Sequence, residues 1–371
     1  MRVVMFCQSI RSDWNHGNAH FLRGIATELQ RRGHRVAVLE PRLGWSATQL
    51  AAEHGSDALR VYERAYPNLS SECYDLSTLD LGPVLDGADL VLVHEWNEPE
   101  LVARIGAHRP RGGRRYRLFF HDTHHRAVTD PGTMAAYDLR EYDAVLAFGA
   151  AVRNRYLDNG WAARAFVWHE AADTQVFRPV PRLPAPLLDL VWIGNWGDEE
   201  RTRELEDYLL EPARRLGLRG EVYGVRYPSD ACERLARAGL TYRGWLPNFL
   251  VPSVFARARA TVHVLRRPYA AALPGIPTIR VFEALACGIP LICSRWEDRE
   301  QLFTPGRDFL VAADGDEMRR HLDHLLAHPA EAAALARHGR VTVLSRHTCV
   351  HRVDELLALS RRLEAQPGRT G

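Results

Sequence analysis

The residues best placed to do chemistry stand in one run, Pro274-Gly-Ile-Pro-Thr-Ile-Arg-Val-Phe-Glu-Ala-Leu-Ala-Cys-Gly-Ile-Pro-Leu-Ile-Cys293. A glycine–proline loop containing Gly275 leads into a helix start, and a glycine stop then precedes an apolar strand. Thr278 is placed to cap the helix, and the backbone N–H groups of Thr278, Ile279 and Arg280 point at whatever fills the loop. Such a terminus attracts a phosphate, and Arg280 in the first turn adds a two-pronged charged contact. Glu283 lies one turn deeper among Val281, Phe282, Ala284 and Leu285. A buried carboxylate there needs a partner, and a ribose diol can donate both of its hydroxyl hydrogens to it. The plain alternative is an ordinary strand–helix unit with an exposed glutamate.

His94 and His121 each end an apolar run that reads as a strand, where open α/β sheets hold ligands. His121 also begins the cluster His121-Asp-Thr-His-His-Arg126. Histidine and aspartate are good metal ligands, but this spacing aligns them only on a helix, and the segment reads as a loop. A solvated polar loop and an active-site role are the other readings. In the active-site reading His121 is the first candidate, and Asp122 the second, either orienting a histidine or serving as base. Asp314-Gly-Asp316 has the form of a metal motif, yet it follows a late strand and reads as a turn and helix cap. No metal is expected, with the helix dipole and arginines supplying positive charge.

The stretch Phe282-Glu-Ala-Leu-Ala-Cys-Gly-Ile-Pro-Leu-Ile292 resembles the donor-site motif of GT-B glycosyltransferases, family 4 and its CgeB-like relatives in particular. In that motif the glutamate holds the ribose and the loop amides hold the diphosphate. Asp89-Leu-Val-Leu-Val-His-Glu-Trp96, Arg117-Leu-Phe-Phe-His-Asp122, Ala144–Gly149, Asp173-Thr-Gln-Val-Phe-Arg-Pro179 and Arg346–Arg352 are similar to further segments of the same family. The resemblance implies an α/β protein of GT-B fold. Two doubly wound, Rossmann-like domains would face across a cleft, and a C-terminal helix would cross back to the first. It implies transfer of a sugar from a nucleotide-diphosphate sugar, the co-substrate in place of any cofactor, to a hydroxyl or other acceptor. UDP is favoured and GDP or dTDP stay open; retention without metal is the expected course. By the same resemblance His121 faces the donor sugar, hydrogen-bonding a hydroxyl or shuttling a proton near the acceptor. The loop Arg11–His20 touches the acceptor and the donor phosphate, with Asp13, Trp14, His16, Gly17 and Asn18 as acceptor contacts beside His94.

Two departures stand out. The family usually has a second glutamate eight residues before Glu283, and this chain has Gly275, which keeps inversion open. The family's Gly-Arg…Lys arrangement appears as Gly194-Asn195 without the lysine, so Arg201 or Arg203 must take over the diphosphate. Two rival readings remain: an epimerase of the same fold acting on the sugar nucleotide, and a non-catalytic nucleotide- or glycan-binding protein.

The elements that must position these residues are legible around them. Over 371 residues, enough for two α/β domains, short apolar strands alternate with amphipathic helices. Val3–Cys7, the helix Ala19–Arg32 stopped by Gly33, and Arg35–Leu39 form a βαβ opening. Strands are expected at Leu90–Val93, Arg117–Phe120 and Ala144–Phe148, and again from Leu188 onward, with a helix over Thr202–Leu216. Residues 1–178 are assigned to the acceptor-binding domain and 179–187 to a proline-rich hinge. Residues 188–346 are assigned to the nucleotide-sugar domain and 347–371 to the returning helix.

All 48 basic residues are arginine. Without lysine there is no Walker-A lysine, Schiff base or pyridoxal anchor, which excludes P-loop enzymes and lysine-type aldolases. A net charge of +2 gives no reason to expect a nucleic-acid partner. Six scattered cysteines without a C-x-x-C pair suit reduced thiols in the cytoplasm. The N-terminal MRVVMFCQSI is too short for a signal sequence and no apolar run spans a membrane, which leaves peripheral membrane contact and the oligomeric state open.

Overall fold

The computed structural model describes residues 1–111, 116–181 and 187–364. The chain divides into two compact units, Met1–Glu170 with the segment from Cys349, and Ala171–Thr348. Of the expected hinge 179–187, residues 182–186 lie outside the described residues, as do 365–371 of the expected returning helix.

The first unit is built on seven parallel strands: β1 (Arg2–Phe6), β2 (Arg35–Pro41), β3 (Glu72–Tyr74), β4 (Leu90–His94), β5 (Arg117–Asp122), β6 (Ala144–Ala147) and β7 (Ala165–Val167). Their order is β3-β2-β1-β4-β5-β6-β7. Val3–Phe6 and Leu90–Val93 are buried throughout, as strands covered on both faces must be. Helix α1 (Ala19–Arg31) buries Phe21, Leu22, Ile25, Ala26 and Leu29, and the left-handed Gly33 turns the chain into β2. Helix α2 (Ala150–Asp158) links β6 to β7. The order reverses between β1 and β4, so the loops after these two strands flank the ligand crevice expected of such a sheet.

The second unit repeats the plan with six parallel strands: β8 (Leu188–Ile193), β9 (Gly220–Tyr223), β10 (Leu240–Tyr242), β11 (Ala258–His263), β12 (Leu291–Ser294) and β13 (Leu310–Ala312). Their order is β10-β9-β8-β11-β12-β13, with the reversal between β8 and β11. Helix α3 (Ile279–Cys287) crosses from β11 to β12, and α4 (Gly315–Ala327) and α5 (Pro329–Arg346) follow β13. Asp314 caps α4 by accepting from the Glu317 N–H at 2.8 Å, so the Asp314–Asp316 pair is the turn and cap expected.

The expected continuous helix Thr202–Leu216 is interrupted. Thr202–Leu205 and Glu211–Leu216 are α-helical, and a wider π-type turn occupies Glu206–Leu210. Pro212 brings no N–H to the ladder, and the widened turn ahead of it absorbs the missing bond.

After α5 the chain returns to the first unit as α6 (Cys349–Glu364), which packs on α1. The Trp168 indole N–H donates to the Arg352 carbonyl at 2.9 Å, and Arg352 Nε donates to the His169 carbonyl at 2.8 Å. Arg32 joins the helix through Asp354 at 2.6 Å and the Val350 carbonyl at 3.0 Å. No described helix is long and apolar enough to cross a membrane.

Candidate active site

In the second unit the groups expected to hold a diphosphate gather at the strand reversal. Arg201, on the segment following β8, donates from one terminal nitrogen to the carbonyl of Val264 after β11 at 3.0 Å. Its other terminal nitrogen donates to the Asn195 carbonyl. The side chain therefore spans the two loops that flank the reversal, with its guanidinium 5.2 Å from the Trp192 ring. Burial, then the charges of Arg266 and Arg280, pull its proton affinity down to about 9. A guanidinium held out of water among like charges is a site that an anion relieves. Arg203, the alternative, is 85% exposed and faces Asp207 instead.

Asn195 shapes this loop, its side-chain oxygen accepting from the Val225 N–H at 2.9 Å. Thr278 occupies the N-cap position of α3, but its side chain makes no cap bond. Its hydroxyl meets His263 Nε2 at 3.1 Å, so the expected hydroxyl cap is replaced by a link to the end of β11. No side chain at the N-cap thus competes for the N–H groups at this helix start, Ile279 and Arg280 included. His263 is pushed to about 3 by burial and by Arg201 and Arg280, and stays neutral at physiological pH. Glu283 is fully buried and pairs with Arg280, one turn away on the same helix. Gly275 holds a left-handed conformation, φ +87°, in the preceding loop.

In the first unit the strand reversal gathers histidines. His94 and His121 are register partners on β4 and β5, with ring centroids 5.3 Å apart, and the His16 ring lies 6.2 Å from His94. Thr123 is the hub: His94 Nε2 meets its hydroxyl at 3.2 Å, and the Asn18 amide donates to the same oxygen. Its own N–H donates to Glu95 at 3.0 Å. His121 is fully buried, packed between Phe21, His94 and Trp168, and both ring nitrogens lack a hydrogen-bond partner among the described residues. Buried polar atoms without partners are rare, and an imidazole of this kind is ready for a ligand hydroxyl or a water. Burial pulls His121 down to about 3, His16 to about 4 and His94 well below the usual histidine range.

The segment expected as a loop is strand as far as Asp122, because His121 and Asp122 pair with β6 through Leu146 and Ala147. Asp122 accepts from the His124 N–H at 2.9 Å and from the Tyr156 hydroxyl at 2.8 Å. Burial raises its proton affinity, and burial together with the Asp122 charge raises that of Glu95 to about 8. Arg126 bonds Glu95 at 2.9 Å and lies 4.0 Å over the ring of Trp96.

Two residues expected to touch an acceptor are built into the first loop itself. Asp13 is paired with the buried Arg23 at 2.9 Å. Trp14 is buried against Trp45 and donates its indole N–H to Glu53 at 2.8 Å. His16, Gly17, Asn18 and His94 remain at the reversal point, Gly17 and Asn18 part-exposed.

Among the residues that sequence reasoning missed, His263, Arg266 and Glu95 carry the most charge or titratable character. His263 ends a strand that the pattern does show, and position alone could have drawn attention to it. Arg266 and Glu95 carry no local signal, since only the tertiary arrangement sets them beside Arg201 and Asp122.

Solved structures of similar fold cover nearly the whole chain. Anabaena HepE, solved with UDP and glucose, superposes with a TM-score of 0.69 at 13% identity over 97% of this chain and 99% of that one. Sucrose-phosphate synthase from Thermosynechococcus elongatus gives 0.66 at 16% identity over 99% and 100%. A glycosyltransferase from Rickettsia africae gives 0.68 at 10% over 99% of both. The fold is GT-B. Within this GT-B chain, residues 201–358 match the family model described as glycosyl transferase-like. That stretch includes Arg201, His263, Arg266, Arg280 and Glu283. No curated protein sequence matches the chain.

Proposed function

We propose that the protein is a glycosyltransferase whose second unit binds a nucleotide-diphosphate sugar and whose first unit contributes the acceptor side. The observation that carries this reading is the meeting of Arg201, Arg266 and Arg280 near the N-terminus of α3, at the strand reversal. A departing diphosphate carries its negative charge to such a place, and arginines held ready there stabilise the transition state without a metal ion. Glu283, one turn along, is the group to receive the ribose hydroxyls, with Arg280 neutralising it until they arrive. UDP is the favoured nucleotide, in keeping with HepE having been solved with UDP and glucose; GDP- and dTDP-sugars belong to the same chemistry. Hexose transfer with retention is the proposed outcome.

His121 is assigned to hydrogen-bonding a sugar or acceptor hydroxyl as a neutral imidazole. Asp122, tied to Tyr156 and the His124 N–H, is assigned to holding the end of β5 beneath it.

The test is binding and turnover together. A calorimetric panel of UDP, GDP and dTDP should show one tight binder, and R280Q should weaken it about tenfold or more, the worth of a charged hydrogen bond. H121A should leave nucleotide affinity in place while lowering turnover of the matching sugar nucleotide. Turnover that survives R280Q, E283A and H121A undiminished sinks the assignment.

A further inference from the structure

At the opposite end of the second sheet's strands from the candidate donor residues, a cavity of about 350 Å³ opens beside the N-terminal ends of β11 and β12. Its wall is apolar where Leu325, Ala336 and Pro290 line it, and basic where Arg259, Arg337 and Arg340 do. No acidic residue lines it. Arg259 is engaged with the Leu326 carbonyl and with Asp189 at 3.5 Å. Arg337 and Arg340 are different. Three residues apart on α5, they share a helix face, and neither makes a hydrogen bond or ion pair among the described residues. The Nε of Arg340 is shielded from solvent and has no partner.

A buried guanidinium N–H without an acceptor costs free energy that a bound anion returns. Two unpaired guanidiniums at the rim of an apolar hollow ask for a ligand that is charged at one end and apolar at the other. The volume lies within the range of small-molecule sites. We propose that this cavity is a second binding site, for an amphipathic anion whose phosphate or carboxylate head lies on Arg337 and Arg340 and whose apolar body lies on Leu325, Ala336 and Pro290. It is separate from the donor residues: Gly288, at the C-terminal end of α3, lines the cavity, whereas Arg280 and the candidate phosphate position belong to the other end of that helix.

The test is calorimetry on the full chain with octyl phosphate, octanoate, octanol and inorganic phosphate. Octyl phosphate and octanoate distinguish a phosphate head from a carboxylate head, and tight binding of either one supports the site. The favoured amphiphile should bind at least about tenfold more tightly than octanol or inorganic phosphate. R337Q/R340Q should weaken it about tenfold, the loss of charged hydrogen bonds. A336F should block it by filling the cavity, whereas R280Q should leave it unchanged. Because Arg337 is exposed, R337Q alone keeps the test informative if the double variant does not fold. The proposal is overturned if the amphiphiles bind no better than phosphate, if binding survives both R337Q and A336F, or if R280Q abolishes it.

Discussion

At Gly275 the backbone stands at φ +87°, and a Cβ built there would lie 3.1 Å from Arg299 Cβ and 3.2 Å from its backbone nitrogen. The usual glutamate of the resembling family therefore meets two obstacles at this position, a left-handed backbone and a close neighbour. G275A should destabilise the protein by about 1–2 kcal/mol, read as a lower melting temperature. G275E should do at least the same and bring no gain in donor turnover. A G275E variant as stable as the unsubstituted protein and faster in transfer would show that the loop accommodates the family's side chain after all. Glu283 and Arg280 behave in the opposite way, because both were legible from the motif, but the sequence reading gave Glu283 a ribose diol as partner, and the i, i+3 ion pair between the two is what the structure adds. Thr278 was legible as an N-cap position, but which acceptor its hydroxyl would choose depends on His263, fifteen residues away in sequence.

The strand ends form a second scale, because their histidines act as a group. His16, His121 and His263 are held neutral at about 4, 3 and 3, and His94 well below the usual range, all chiefly by burial. Their folded-state proton affinities lie below those of the unfolded chain, so the unfolded state binds more protons and gains as pH falls through the histidine range. Each costs about 1 kcal/mol of stability between pH 6.5 and 5.5. Glu95, raised to about 8, has the opposite sign: its contribution declines as pH rises from the carboxylate range through 8, and it offsets about one histidine on acidification. The net expectation is a clear fall in the urea midpoint from pH 6.5 to pH 5.5. A flat or rising midpoint would mean that these imidazoles are solvated and titrate normally.

The strands that carry these residues were legible wherever the run was apolar and buried on both faces, as in Leu90–Val93 and Val3–Phe6. The end of β5 was not. His121 and Asp122 are polar by composition, and only pairing with neighbouring strands makes them strand. The three-residue edge strand β3 escaped for want of length, and the break before Leu216 because the apolar periodicity of Thr202–Leu216 does not reveal the widened turn ahead of Pro212.

At the scale of the molecule, both sheets place their candidate residues where the strand order reverses, and that much follows from topology alone. The two-sheet plan was legible because the βαβ rhythm repeats along the chain. The membership of the units is less simple, since the first unit takes its last helix from beyond the second. A chain ending at Thr348 loses α6, and with it the Arg352 bonds to Trp168 and His169 and the Arg32 bonds to Asp354 and Val350. Hydrogen exchange should then show lost protection in α1, β1 and β7, while β8–β13 stay protected. Equal protection of the first sheet in the shortened chain would show that α6 is an accessory.

The same return of the chain sets an order of events during synthesis. The first seven strands leave the ribosome before the intervening unit, but the helix that covers α1 and receives the Trp168 indole is made only after that unit. At about 5–20 residues per second the intervening unit occupies roughly ten to forty seconds. Throughout that interval the nascent first sheet carries an uncovered apolar flank, and a chaperone that shields α1 during translation would be needed until those sixteen residues emerge.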